Sequence, residues 1–265
     1  MLLRNVFTKS LWDARRSLLG WTLAVAAVGC MYAGFWPTVN TPEMAKALSA
    51  FPQNVLEIFN YTDMTTAAGY LGGSVYGLLI PLLVTVFMVA AGTRAIAGDE
   101  DAGTLDLTLA HPVGRLRLAL QRFAAITLGL VAVIAVLFLA MLAIRQLAQL
   151  DTVPIGNLAA MNLQLVLFGL CFGALAFAVG AATGSKGLAL GVAAGLAVLT
   201  YLANSVFPQA NALTWTRKFS PWYWYMGNHP LVNGLQVGNC LLLLATTAVL
   251  VALGTLRFTR RDISV

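Results

Sequence analysis

Residues 123–144 read FAAITLGLVAVIAVLFLAMLAI, and none of these residues is charged. An α-helix rises 1.5 Å per residue, so this segment would be about 33 Å long, close to the ~30 Å thickness of the hydrocarbon core of a bilayer. Inside lipid the backbone N–H and C=O groups have no water to bond, and a helix satisfies them internally. The segment therefore predicts a membrane-spanning helix.

Similar apolar stretches lie on both sides of this segment, approximately at residues 17–36, 75–97, 158–182, 187–207 and 235–256. Hydrophobic residues make up 59% of the chain and charged residues only 10%, whereas soluble domains contain about 25% charged residues. The sequence predicts an all-α, polytopic membrane protein with six transmembrane helices, which form a single transmembrane domain over residues 1–265.

Two segments outside the spans also predict helices. Residues 4–18 place Phe7, Leu11 and Ala14 on one helical face, which is typical of an amphipathic helix lying at the membrane interface. Residues 208–234 are rich in tryptophan and tyrosine, which favours either a belt of aromatic side chains at the headgroup level or short helices interrupted at Pro221 and Pro230.

The distribution of basic residues predicts the orientation. Twelve of the 16 Lys and Arg residues lie at the two termini, in residues 94–122 and at Lys186. By the positive-inside rule, both termini and residues 98–122 are cytoplasmic, in a plasma or inner membrane. The net charge of +6 then reflects this topology, and we expect no nucleic-acid partner because the basic residues form no contiguous soluble face.

The most polar segment joins the second and third spans and reads GDEDAGTLDLTLAHPVGR, residues 98–115. Its carboxylates lie at the start of a short predicted helix that ends at Pro112, where negative charge offsets the helix dipole. A magnesium site is the less favoured interpretation, because the spacing of the aspartates does not match such sites. Leucines beside the charges favour a docking surface for a partner.

The pattern Glu100-x-x-Gly103-Thr104-Leu105, with Leu109 and Pro112-Val-x-Arg115, resembles the cytoplasmic loop of permease subunits of the type-2 ABC exporter family. The resemblance extends to the six spans, to Ser220-Pro221-Trp-Tyr-Trp-Tyr and to the Arg257-Phe-Thr-Arg-Arg261-Asp262 ending. His111 departs from it, since the family more often has a small residue there.

This resemblance implies a coupling helix between the second and third spans that sits in a groove of a separate ATPase. The expected coupling residues are Glu100, Gly103, Thr104, Leu105, Leu109 and Arg115. It further implies a second permease copy, identical or homologous, and two ATPase copies that bind ATP and magnesium. We expect no cofactor and no metal in this chain.

We expect no catalysis by this chain either. A phosphate-binding loop has the form G-x-x-x-x-G-K-[ST], whereas residues 180–186 read GAATGSK, with the serine and lysine in the wrong order. The glycines at four-residue steps instead predict close packing of the fourth and fifth helices. They are Gly169, Gly173, Gly180, Gly184, Gly187, Gly191 and Gly195.

Mild polar residues in the spans suggest the cargo. Five of them form the expected substrate path, namely Thr85, Thr93, Thr200, Asn204 and Ser205. Such a path suits a hydrophobic or amphipathic compound, and the scarcity of charges within the spans argues against an ion-driven carrier. Two alternatives remain. One is the same architecture supplying a cofactor or metal to a periplasmic maturation pathway, and the other is a membrane anchor or sensor without transport.

Overall fold

A computed structural model describes residues 5–43, 46, 65–105 and 114–261. Six long helices dominate this part of the chain, and we number them in chain order. They are α1 (Val6–Gly34), α2 (Leu79–Thr93), α3 (Arg115–Ile144), α4 (Ile155–Thr183), α5 (Lys186–Ser205) and α6 (Val237–Arg260). No strand occurs among the described residues.

In the part of the chain that the structure describes, six helical segments are long and apolar enough to cross a membrane, as the sequence predicted. The second segment runs from Ala67 to Asp101 and includes α2, a short helix before it (Ala67–Ser74) and two short elements after it. Hydrogen bonds within each helical segment pair the backbone N–H and C=O groups, which have no water to bond inside lipid.

The first helix differs from its prediction. Helix α1 begins at the Asn5 cap, whose side chain accepts a hydrogen bond from the Thr8 N–H at 2.9 Å, and continues without a break to Gly34. Its 29 residues would extend about 43 Å, more than the ~30 Å of a bilayer core. The amphipathic residues after Asn5 therefore prolong the first span and do not form a separate interfacial helix.

Helix α4 lies at the centre of the bundle and contacts α2, α3, α5 and α6. In its most apolar part 67% of the residues are buried, against 17% in α1 and 17% in α6. The outer helices leave large apolar side chains exposed, such as Leu23 and Leu241. This distribution is expected for helices that face lipid.

Glycines on α4 allow α2 to approach closely. A Cβ atom at Gly169 would lie 2.6 Å from Val84 Cγ1, and one at Gly180 would lie 3.2 Å from Ala97 Cβ. From the other side, a Cβ at Gly92 would clash with the carbonyl oxygen of Gly173. These contacts keep the same order along both helices, so the two helices run parallel. We call Gly92, Gly169, Gly173 and Gly180 the glycine seam.

The predicted packing of α4 against α5 is found at Gly180, where a Cβ would lie 3.5 Å from Ala189 Cβ, but not at the glycines of α5. Gly187, Gly191 and Gly195 have no atom of another helix within 4 Å of the position of a Cβ. Helix α5 instead buries Ala189, Ala193 and Ala197. The reason is geometric: residues two positions apart point in nearly opposite directions on a helix, so the alanines and the glycines cannot face α4 together.

Short helices fill the connection between α5 and α6. Two of them begin at the predicted prolines, at Pro221–Met226 and Pro230–Asn233. The aromatic side chains differ in burial. Trp222 and Tyr225 are buried against Phe168, with ring centroids 4.8 and 4.9 Å away, and Tyr223 and Trp224 are half-buried. Trp215 and Phe219 are exposed and suit a headgroup belt.

The glycine seam generates a test with a matched control. We expect Gly92→Ala to destabilise the protein by about 1–3 kcal/mol, because the added methyl group overpacks the contact with α4. Gly191→Ala should leave stability unchanged or slightly raise it, because alanine favours helix and nothing lies beside it. Thermal unfolding in detergent measures both, and equal effects would contradict the assignment of the seam.

Candidate functional site

One end of the bundle concentrates the charged residues that the sequence singled out. Helix α2 does not stop at Thr93 but continues as one π-helical turn, Arg94–Gly98, into a short helix, Asp99–Asp101. A π-helical turn is wider than an α-helical one and is frequent at functional sites, where it redirects the side chains that follow. Here the side chains that follow are carboxylates.

Glu100 forms an ion pair with the chain's C-terminal segment. Its Oε2 lies 2.5 Å from Nη2 of Arg261, and the two side chains retain only 12% and 18% of their exposure. Ions so poorly solvated interact more strongly than ions on an open surface, and removing one leaves the other uncompensated. This pair joins the end of α2 to the end of α6.

Gly184 provides the platform on which this pair rests. It ends α4 with a positive φ of 71°, a conformation that suits glycine. A Cβ there would lie 2.5 Å from Arg261 Nη1 and would also clash with the Glu100 carboxylate. Glycine is therefore required at this position for its backbone conformation and for space.

Two further arginines complete the arrangement. Arg115 donates from Nη1 to the Arg261 carbonyl at 2.6 Å. Arg122 forms an ion pair with Asp99 and donates from Nη1 to the Ala95 carbonyl at 2.5 Å. We call these residues the polar junction: Asp99, Glu100, Arg115, Arg122, Gly184 and Arg261. The junction connects the ends of α2, α3, α4 and α6.

The predicted coupling residues next to the junction have different surroundings. Gly103 adopts a positive φ of 65°, and Thr104 donates its N–H to the Asp99 carbonyl at 2.8 Å. Leu105 is 1% exposed and belongs to an apolar cluster with Leu118, Phe177 and Phe258.

This arrangement corrects two expectations about single residues. Leu105 packs inside its own chain and does not present its side chain to a partner, because α3, α4 and α6 surround it with apolar groups. Glu100 has its partner, Arg261, on the same chain. Leu109 lies outside the described residues, as do the remaining positions of the predicted coupling helix, residues 106–113.

Most residues of the expected substrate path form local hydrogen bonds. Thr85 donates its hydroxyl to the Pro81 carbonyl, and Thr200 donates to Leu196, both at 2.7 Å. Asn204 donates to the neighbouring Ser205 hydroxyl at 3.2 Å. Such local bonds satisfy polar groups within one helix. Neither these residues nor the buried Thr93 line the cavity of about 490 Å³ between α1, α2 and α3.

The amino-acid sequence matches one model of a protein family. The model described as ABC-2 family transporter protein matches residues 4–263. The chain belongs to the ABC-2 transporter family. No curated protein matches the sequence.

Membership in the ABC-2 family confirms the resemblance seen in the loop and at the C-terminal arginines. Members of the family are membrane components of transporters, are not themselves catalytic, and generally work with an ABC ATPase. The family match and the six apolar helices identify this chain as an ABC-type permease and a multi-pass membrane protein.

Sequence reasoning missed how the charged residues pair. Arg261 was noted only as part of an ending motif, and Asp99 and Arg122 were not selected. The sequence does show that Asp99, Arg122 and Arg261 each lie next to a predicted span, where an unpaired charge is unfavourable. That rule identifies residues that need a partner but does not identify the partner.

A double-mutant cycle tests the ion pair between Glu100 and Arg261. We expect Glu100→Ala and Arg261→Ala each to lower stability, and the double variant to lose less than the sum of the two by about 1–3 kcal/mol, because either single change leaves one charge uncompensated. The matched control is the pair of Arg145 and Asp151, which are 3.4 Å apart and in which the Asp151 carboxylate is exposed, so that the coupling should be below about 1 kcal/mol. Additive effects at Glu100 and Arg261 would show that the pair does not form.

Proposed function

We propose that this chain is the permease subunit of an ATP-driven exporter. Its cargo is a hydrophobic or amphipathic compound, such as a drug, an antibiotic, a peptide or a lipid, which it moves out of the cytoplasm or the inner leaflet. The observation that carries the proposal is the ABC-2 family match over nearly the whole chain. Helices α1, α5 and α6, which expose apolar faces, suit contact with lipid or with a second permease copy.

The working assembly contains two permease copies and two ABC ATPase subunits, and the ATPase subunits bind ATP and magnesium. The end that carries the polar junction faces the cytoplasm, because most of the basic residues lie there. In this orientation residues 98–122 are on the same side of a plasma or inner membrane as ATP. Both ends of the described chain, Asn5 and Arg261, then face the cytoplasm as well.

The polar junction is suited to transmit motion from the ATPase to the spans. Residues 106–113 connect Leu105, which is anchored in an apolar cluster, to α3, where Arg115 donates to the Arg261 carbonyl. Both ends of this connection are therefore attached to several helices. A displacement of the loop by an ATPase would move α2 and α3 together, and Glu100 would carry that movement to α6 through Arg261.

Substitutions of Leu105 and Leu109 distinguish a role in folding the permease from a role in docking the ATPase. Leu105→Asp should destabilise the permease when it is purified alone, because it places a charge in a buried apolar cluster. Leu109→Asp should leave the isolated permease as stable as the wild type but abolish its co-purification with the ATPase, if Leu109 belongs to the docking surface. The measurements are thermal unfolding of the permease alone and ATPase recovery from co-expressed subunits.

Normal recovery of ATPase with Leu109→Asp, together with normal cargo-stimulated hydrolysis, would contradict the coupling role of the loop. Failure of the wild-type permease to retain any ABC ATPase of the same genome would contradict the proposed function itself.

A further inference from the structure

A cavity of about 490 Å³ opens between α1, α2 and α3 near the polar junction. Its volume lies within the ~300–1,000 Å³ range of small-molecule sites. It runs along α1 from Ser10 to Trp21 and, on the other side, from Asp99 back through the π-helical turn to Phe87 on α2. At 1.5 Å per residue this is about 16–18 Å, roughly half of a ~30 Å hydrocarbon core. The cavity therefore has the length of one leaflet.

The two ends of the cavity differ in polarity. Ser10, Asp13, Arg94, Asp99 and Arg122 line the end nearer the junction. Leu18, Trp21, Phe87 and Ile126 line the deep end, where the rings of Trp21 and Phe87 approach to 5.6 Å between centroids. A ligand that fills this space must carry a polar head and an apolar body, oriented as a lipid of that leaflet would be.

The charges of the polar end differ in whether they are already paired. Arg122 and Asp99 form an ion pair with each other, which leaves little charge for a ligand. Among the described residues, Arg94 on the π-helical turn after α2 and Asp13 on α1 have no ion-pair partner, and both are exposed. One free cation and one free anion thus stand on different walls of the same opening.

We propose that this cavity binds one zwitterionic phospholipid of the inner leaflet. The phosphate lies at Arg94, the ammonium group lies at Asp13, and an acyl chain lies along Trp21 and Phe87. A zwitterionic head satisfies both free charges, whereas an anionic head would satisfy Arg94 and be repelled by Asp13. The site rests on the orientation proposed above, but binding requires neither the ATPase nor transport.

The test uses the permease purified alone in detergent and native mass spectrometry to count bound lipid. The probes are phosphatidylethanolamine and phosphatidylglycerol with the same acyl chains. We expect the wild type to prefer phosphatidylethanolamine. Arg94→Gln should weaken binding of both lipids about tenfold through loss of a charged hydrogen bond. Asp13→Asn should weaken only phosphatidylethanolamine binding, and so remove or reverse the preference.

Matched controls remove the same charges outside the cavity. Arg16→Gln lies on α1 and Asp101→Asn lies after α2, and neither residue lines the cavity; both variants should bind lipid as the wild type does. A second variant, Ala91→Leu, fills part of the cavity and should weaken binding of both lipids without removing a charge. It keeps the proposal testable if a charge variant does not fold.

Three results would overturn the proposal. The first is unchanged phosphatidylethanolamine binding in Arg94→Gln and Asp13→Asn, and the second is equal loss in the matched controls. The third is equal competition by soluble glycerophosphoethanolamine, which would show that the head binds without a chain. Because the ATPase is absent from the experiment, lipid binding can fail while ATPase recovery succeeds, or the reverse, so the two proposals fail separately.

Discussion

The close approach of α2 and α4 is the contact on which the rest of the structure depends. Along the glycine seam the two backbones come together where larger side chains would not fit. In lipid, helices gain little from burying apolar groups against each other, and close van der Waals contact between small residues becomes the main source of association. Helix α4 then becomes the central helix, and the other spans arrange themselves around it.

The seam also determines where the charges of the polar junction lie. Gly180 lies beside Ala97, and one helical turn later Gly184 lies beneath Glu100. The π-helical turn between Arg94 and Gly98 brings the carboxylate over this glycine, where Arg261 meets it. A charge pair at the edge of a membrane is thus positioned by a contact between two apolar helices. This dependence gives a physical route by which a loop outside the membrane could move helices within it.

Much of the fold could be predicted from the sequence, because a span needs about 20 apolar residues and each of the six had them. The partners of the glycines were not predictable from the same pattern. A four-residue step shows that Gly169 and Gly173 share a face with each other, but it does not show which helix that face meets. The pairing of Glu100 with Arg261 across 161 positions was hidden for the same reason, and so was the burial of Leu105.

The most direct test of the glycine seam is a disulfide between Ala97→Cys and Gly180→Cys, in a chain without Cys30, Cys171 and Cys240. The Cβ separation of 3.2 Å is within a few tenths of an ångström of the ~3.5–4.5 Å of disulfides. A protease site at the exposed Leu147 cuts the chain between the two cysteines. After oxidation and cleavage the fragments should stay joined, whereas those of a control pair, Ala97→Cys with Gly191→Cys, should separate. Separation with the first pair and joining with the control would contradict the parallel packing of α2 on α4.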